Sequence, residues 1–268
     1  MNTGYNPDDE AHWALVAQCL EECPASLQLS LLDNLNSYQQ IFDSDQQVED
    51  IQLNHKLQLI RHHYQQGQWQ SAADQIGKKI SECQAQLVPI TSADYPEQLQ
   101  QIAKPPPLIY MRGNLDCLYL PQLAIVGSRR MTRGGEMVAK SWAKNLANSG
   151  FTITSGLAAG IDASAHRGAL EAQQGATVGV MATGINQIYP SRHQQLAKQI
   201  LDKGGALITE FAPDTPPTGA FPPAQSYYQW PQYRCISGGS GIKKWLTNYC
   251  QIRPRTKSRS ICHSRLGQ

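Results

Sequence analysis

Two short runs carry the residue types that hold an oxyanion. Gly127-Ser128-Arg129 offers main-chain N–H groups, a hydroxyl and a guanidinium in consecutive positions, and the run SGLAAGID from Ser155 to Asp162 offers a glycine-rich turn that opens a helix. Amides at a helix start, together with a guanidinium able to bond through two N–H groups, suit a phosphate. Glycines needed only for tight turning would explain the same letters, and at this level both readings stand. No G-x-x-x-x-G-K-[ST] run occurs and no G-x-G-x-x-G follows the first strand, so neither a P-loop nucleotidase nor a dinucleotide dehydrogenase is indicated. Gly238 to Lys244 imitates a phosphate loop without a strand in front of it. His166 reads as a helix histidine packed at the sheet edge, because no metal-ligand spacing surrounds it. Asp162 reads as an N-cap or first-turn carboxylate favoured by the helix dipole.

The two runs need elements to place them. Leu123 to Val126 is a wholly apolar run of the kind buried on both faces of a parallel sheet, and Gly127-Ser128-Arg129 sits where it ends. The helix that follows carries Val138, Trp142 and Leu146 at i, i+4, i+8, a stripe expected to lie against the sheet, and Gly150 closes it as a left-handed residue. Phe151 to Thr154 is the second strand, Ala163 to Ala172 a helix, Thr177 to Met181 the third strand, Gln194 to Leu201 a helix and Ala206 to Phe211 the fourth strand. Strands and helices alternating at this spacing indicate right-handed βαβ units in a Rossmann-like parallel sheet. Both candidate turns then lie at the carboxyl ends of neighbouring strands, the edge at which open α/β sheets bind ligands.

Upstream, residues 1–84 read as a small helical domain with few strand signals, despite the glutamine pairs at 46–47 and 65–66. From Leu87 the texture changes to two short apolar runs around Pro105-Pro106-Pro107, and Leu108 to Met111 is expected to add a strand to the sheet. No apolar run approaches the roughly 18 residues of a membrane span, and the seven cysteines (Cys19, Cys23, Cys83, Cys117, Cys235, Cys250 and Cys262) are scattered, so reduced thiols and a cytoplasmic protein are expected. The net charge of +2 is unevenly spread: residues 224–268 hold eight of the 23 Lys and Arg and none of the 21 Asp and Glu. Residues 1–223 therefore carry 15 basic against 21 acidic side chains, a net of −6, and any nucleic-acid site must be a local patch.

Taken in order, Asp94-Tyr95-Pro96, the triple proline, the GSR turn, SGLAAGID with AHRGAL, TGINQIYP and ITEFAP resemble the DNA processing protein A family (DprA, also called Smf) over about 120 residues. That resemblance implies a Rossmann-like domain that binds and protects single-stranded DNA and helps load a RecA-type recombinase during natural transformation. It implies no catalytic reaction, cofactor or metal, and a homodimer in intact members. By motif, Arg129 would hold a phosphate, supported by Gly127, Ser128 and the backbone of Ser155, Gly156 and on to Gly160, while Phe221 matches an aromatic that stacks on a base, typically worth about 1–3 kcal/mol. Family members can carry a basic residue just before that aromatic, where this chain has Pro217 and Thr218. A Rossmann-like nucleotide phosphoribohydrolase shares a glycine-rich turn, but uses P-G-G-x-G-T where this chain has SGLAAGID. An interaction module acting through the helical N-terminus is a third class.

Past Phe221 the family pattern runs on with an RNR run, a strand and a helix, whereas this chain gives an off-pattern tail over 223–268 without acidic residues or periodicity. Permitted codons for Phe221 onward, with one C removed from the run after TTC, read FPRRNRIISG and continue in the family pattern. The tail is therefore expected to be the product of a one-nucleotide insertion. The Rossmann-like domain of residues 85–222 would then be incomplete, leaving apolar faces and strand edges uncovered and DNA binding weakened. Reading the coding strand across codons 221–224 is expected to show a cytosine run one base too long; codons downstream that cannot be read in the shifted frame would refute it.

Overall fold

The structure, a computed structural model, describes residues 9–217. Phe221, Gly238 to Lys244 and the tail over 223–268 lie outside the described residues. Five helices come first: α1 (Glu10–Gln18), α2 (Ala25–Leu32), α3 (Tyr38–Phe42), α4 (Ile51–Gln66) and α5 (Gln70–Glu82). Three start on residues that supply the missing acceptor: Asp9 takes the N–H of Ala11, Ser37 that of Gln40 and Asp50 that of Leu53. Trp13, Phe42, Tyr64 and Trp69 pack ring on ring with centroids 4.9 to 6.0 Å apart. Arg61 is buried among them, and its guanidinium donates to the carbonyls of Ile41, Gln46 and Gln40 at 2.8, 2.7 and 3.1 Å, which is how an apolar layer tolerates the charge.

The sheet has six strands: β1 (Gln86–Pro89), β2 (Leu108–Gly113), β3 (Gln122–Ala124), β4 (Thr152–Ser155), β5 (Thr177–Val180) and β6 (Ala206–Thr209). Their order is β1-β2-β6-β5-β4-β3. From β3 to β6 every pair is parallel, joined by α7 (Arg133–Asn148), α8 (Ile161–Leu170) and α9 (Gln194–Asp202). The short α6 (Glu97–Gln100) sits in the β1–β2 connection. The strand after the triple proline does join the sheet, but antiparallel to β6, with Met111 opposite Ile208. A Rossmann-like parallel core of four strands is thus extended on one side by the antiparallel pair β1 and β2.

The chain passes from α5 to β1 over Cys83 to Ala85, but the helices do not stand apart from the sheet. One apolar cluster runs from Leu15, Ile41 and Leu57 through Leu87 and Tyr110 to Met181 and Leu207. The Glu10 carboxylate accepts from the Tyr38 N–H at 2.8 Å and the Thr91 hydroxyl at 2.7 Å, and the Tyr38 hydroxyl donates to the Pro107 carbonyl at 3.0 Å. Among the described residues, no helix is long and apolar enough to cross a membrane.

The stripe expected on α7 is displaced. Ala139, Ala143 and Ala147 face the core, while Val138 and Trp142 are 45% and 48% exposed. The cause is the closeness of α7 to α8: a Cβ at Gly168 would lie 2.2 Å from the Lys140 carbonyl oxygen and 2.9 Å from the Ala143 Cβ. Small residues fit that contact, so Val138 and Trp142 turn away from it, while Leu146, the third residue of the expected stripe, is half-buried against the core. Gly150 adopts φ +87 after the helix, as expected.

His166 on α8 is fully buried, with Nδ1 2.7 Å from the Thr177 hydroxyl oxygen. That hydroxyl donates to the Ile153 carbonyl at 2.6 Å and so accepts from the ring. Burial, then the neighbouring His193, pushes the His166 pKa down from 6.5 to about 3. The unfolded chain therefore takes up the proton first, and the stability that neutral His166 contributes above about pH 6.5 is lost as the pH falls toward 3. The gap in unfolding free energy between the wild type and His166→Gln is expected to narrow between neutral pH and about pH 5, as measured by urea titration followed by tryptophan fluorescence.

Candidate functional site

Gly127-Ser128-Arg129 leaves the sheet at the carboxyl end of β3 and lies against the start of α8, where two absent side chains make the approach possible. A Cβ at Gly127 would meet the Ile161 side chain at 2.8 Å, and one at Gly160 would meet the Ser128 carbonyl oxygen at 2.1 Å. Gly160 also needs φ +88, a conformation that residues with a Cβ rarely adopt. The first amide of α8, that of Ile161, donates to the Ser128 carbonyl at 3.2 Å. Ser128 Oγ accepts from the Arg130 N–H at 3.1 Å, which curls the turn and leaves the hydroxyl proton available.

The centre of this arrangement is Asp162, 6% exposed in the first turn of α8. Its Oδ1 accepts from the Gly127 N–H at 3.2 Å, and the amides of Gly156 and Ala158 also donate to its carboxylate. Burial pushes its pKa up to about 6, against those amides and the Arg129 guanidinium, which pull it down. The amides of Gly127 and Gly156, expected at a bound phosphate, are thus directed at an internal anion. The reason is geometric: a carboxylate in the first turn of the helix lies within reach of the amides of both turns. Ser155 is fully buried and its hydroxyl donates to the Ile125 carbonyl at 2.6 Å. It braces the ends of β3 and β4 together.

Leu157 holds φ +54, an uncommon conformation for a residue with a side chain. Two contacts enforce it: His193 Nδ1 donates to the Leu157 carbonyl at 2.7 Å, and the Leu157 side chain fills the space left by Gly179, whose Cβ would lie 2.4 Å from Leu157 Cδ1. His193 is 4% exposed at the head of α9.

In front of these turns lies a cleft of about 390 Å³ whose walls carry Arg129, Arg130, Arg167 and Arg192, with Gly160 and His193 between them. Among the described residues, no carboxylate lines it. All four arginines are exposed, and Arg129 lies within electrostatic reach of Asp162. A region of net charge −6 therefore concentrates positive charge at one rim of its sheet. What the cleft offers chemically is a planar fork of donors at several points for a ligand rich in anionic oxygens. Arg130, Arg167 and Arg192 were not visible as a group in the sequence, because they come from three separate connections. The AHRGAL run, in which Arg167 is the only charged residue, was the one available hint.

A family model described as DNA recombination-mediator protein A matches residues 86–224. Protein Smf of Escherichia coli is 44% identical over 131 residues, which is 49% of this chain and 35% of that protein. DNA processing protein DprA of Bacillus subtilis is 37% identical over 131 residues, 48% of this chain and 43% of that protein. The X-ray structure of DNA processing protein A from Streptococcus pneumoniae superimposes with a TM-score of 0.50 at 28% identity, covering 62% of this chain and 54% of that one. The chain thus spans half or less of the length of the curated relatives it matches.

If the Asp162 carboxylate is what clamps the two turns, Asp162→Ala leaves half-buried turn amides without their acceptor and is expected to lower stability by roughly 1–3 kcal/mol, with Asp162→Asn losing less because one acceptor oxygen remains. Urea unfolding of the three proteins measures this, and equal midpoints would show that the clamp has no weight.

Proposed function

The chain belongs to the DNA recombination-mediator protein A family, and on that premise we propose that the arginine-lined cleft at the carboxyl rim of the sheet holds the sugar–phosphate backbone of single-stranded DNA. The observation that carries this reading is the convergence of four arginines on one cleft that, among the described residues, no carboxylate lines. Phosphates are the common chemistry of every nucleotide, so such a cleft grips a strand without reading its sequence. The concave shape favours a flexible strand: duplex DNA is stiff over about 150 base pairs and does not fold a backbone into a hollow of this size. Arg129 sits where the two clamped turns meet and is the first contact in this scheme, with Arg130 beside it and the Ser128 hydroxyl as a further donor.

The role is binding, not bond-breaking. Asp162 is already engaged by main-chain amides and does not line the cavity. We extend the reading, on family membership, to a protein that protects incoming single strands in DNA processing and passes them to a RecA-type recombinase, working as a homodimer. Phe221 is proposed as a stacking platform for a base beside the same cleft.

Fluorescence anisotropy with labelled oligo(dT) tests the core of this. Arg129→Ala is expected to weaken binding about tenfold or more, the loss of one charge-assisted contact. The slope of log affinity against log salt should fall by about 0.7, the value for one phosphate released from a single strand. Unchanged affinity and slope in the variant would remove Arg129 from the interface.

A further inference from the structure

We propose that the cleft continues as a track, with Arg167 and Arg192 forming a second phosphate subsite along the seam between α8 and α9; this rests on the reading of the cleft as a single-strand site. The first observation is where Arg167 stands. Eight of the ten residues of α8 are buried and Leu170 is half-buried, so Arg167 is the only exposed side chain on the helix. A helix enclosed this thoroughly would take an apolar or neutral residue there at no cost to its packing.

The second observation is that its natural partner is taken. Glu171 lies four residues on, the spacing at which a helix pairs opposite charges. Yet the Glu171 carboxylate is drawn the other way, to Lys140 at 2.5 Å and Lys144 at 3.8 Å on α7. On α9, Asp202 is likewise paired with Lys198 at 2.6 Å. Among the described residues, no carboxylate lies within ion-pair distance of Arg167 or Arg192. Two guanidiniums are held side by side without a counter-charge.

The third observation is continuity. Arg167 and Arg192 line the main cleft and also a smaller hollow of about 180 Å³ floored by Leu196 and flanked by Gln195 and Gln199. These glutamines are exposed one turn apart on α9, while Leu196, Ala197 and Ile200 face inward. Gly160 and Arg167 are seven residues apart on one helix, which sets the two ends of the track about 10 Å from each other. That separation is too long for one phosphate group and suits a chain that repeats its charge. The ligand class is therefore a single strand of at least three nucleotides, the shortest with two internucleotide phosphates, with amide side chains of Gln195 and Gln199 bordering the second step.

The test is an anisotropy titration of the whole chain with a long labelled oligo(dT) and with a labelled dinucleotide, for the wild type, Arg129→Ala and the double variant Arg167→Ala/Arg192→Ala. Both replaced side chains of the double variant are exposed, and an unchanged melting temperature verifies its fold. The double variant is expected to lose about tenfold or more on the long strand, with a salt slope lower by about 1.4, two phosphates at 0.7 each. The loss on the dinucleotide should be smaller. If the double variant binds the long strand as the wild type does while Arg129→Ala is weakened, the track is overturned and the single-strand site stands. If neither variant is weakened, the single-strand reading itself has failed and takes the track with it.

Discussion

One buried carboxylate organises the functional rim. Asp162 accepts from main-chain amides of two different strand-end turns, Gly127 on one side and Gly156 and Ala158 on the other, while belonging to the helix that both turns abut. The GSR turn is thereby fixed to a turn and helix start some 35 residues further along the chain, and the arginines on these elements inherit that rigidity. The charge is costly to bury, which its raised pKa reflects, and the amides and the Arg129 guanidinium offset that cost. Pre-positioned cationic groups lose little freedom when a ligand arrives, so rigidity bears directly on affinity.

Period and punctuation made the fold legible. Short apolar runs bounded by glycine gave the four parallel strands, and the residues after the triple proline gave the strand that joins them. Direction and helix face were less accessible. Nothing in Leu108 to Met111 says whether a neighbour runs parallel or antiparallel, because both present the same apolar letters. On α7 the largest residues were assigned to the core by size, whereas the closeness of α8 favours small residues at the contact. Which residues face inward was decided by a glycine on another helix, information the local stretch does not contain.

The candidate site divides in the same way. Gly127, Ser128, Arg129 and Gly160 meet where the spacing put them, because strand-end turns on neighbouring parallel strands must be adjacent. The Gly127 amide donates to Asp162, a carboxylate read from the sequence as a cap for its own helix and not as an acceptor for a neighbouring turn. Arg192 and His193 escaped notice because they precede a helix without any motif, and only the third dimension brings them to Arg129. Overall charge was a poor guide to location: the acidic surplus is spent across the remaining surface, and the basic groups that matter are few and gathered.

The outer edge of β3 ends the sheet among the described residues. Lys140 and Lys144 reach across to α8, so Val138 and Trp142 lie on the flank of α7 that looks beyond β3. A right-handed strand and helix laid there in parallel would reverse the direction in which the sheet is wound, with β3 as the pivot. Crevices open where winding reverses, at the carboxyl ends of the strands. The GSR turn would then form one bank of a channel whose opposite bank is the newcomer, and a polymer entering it would be flanked on both sides instead of resting on a shelf.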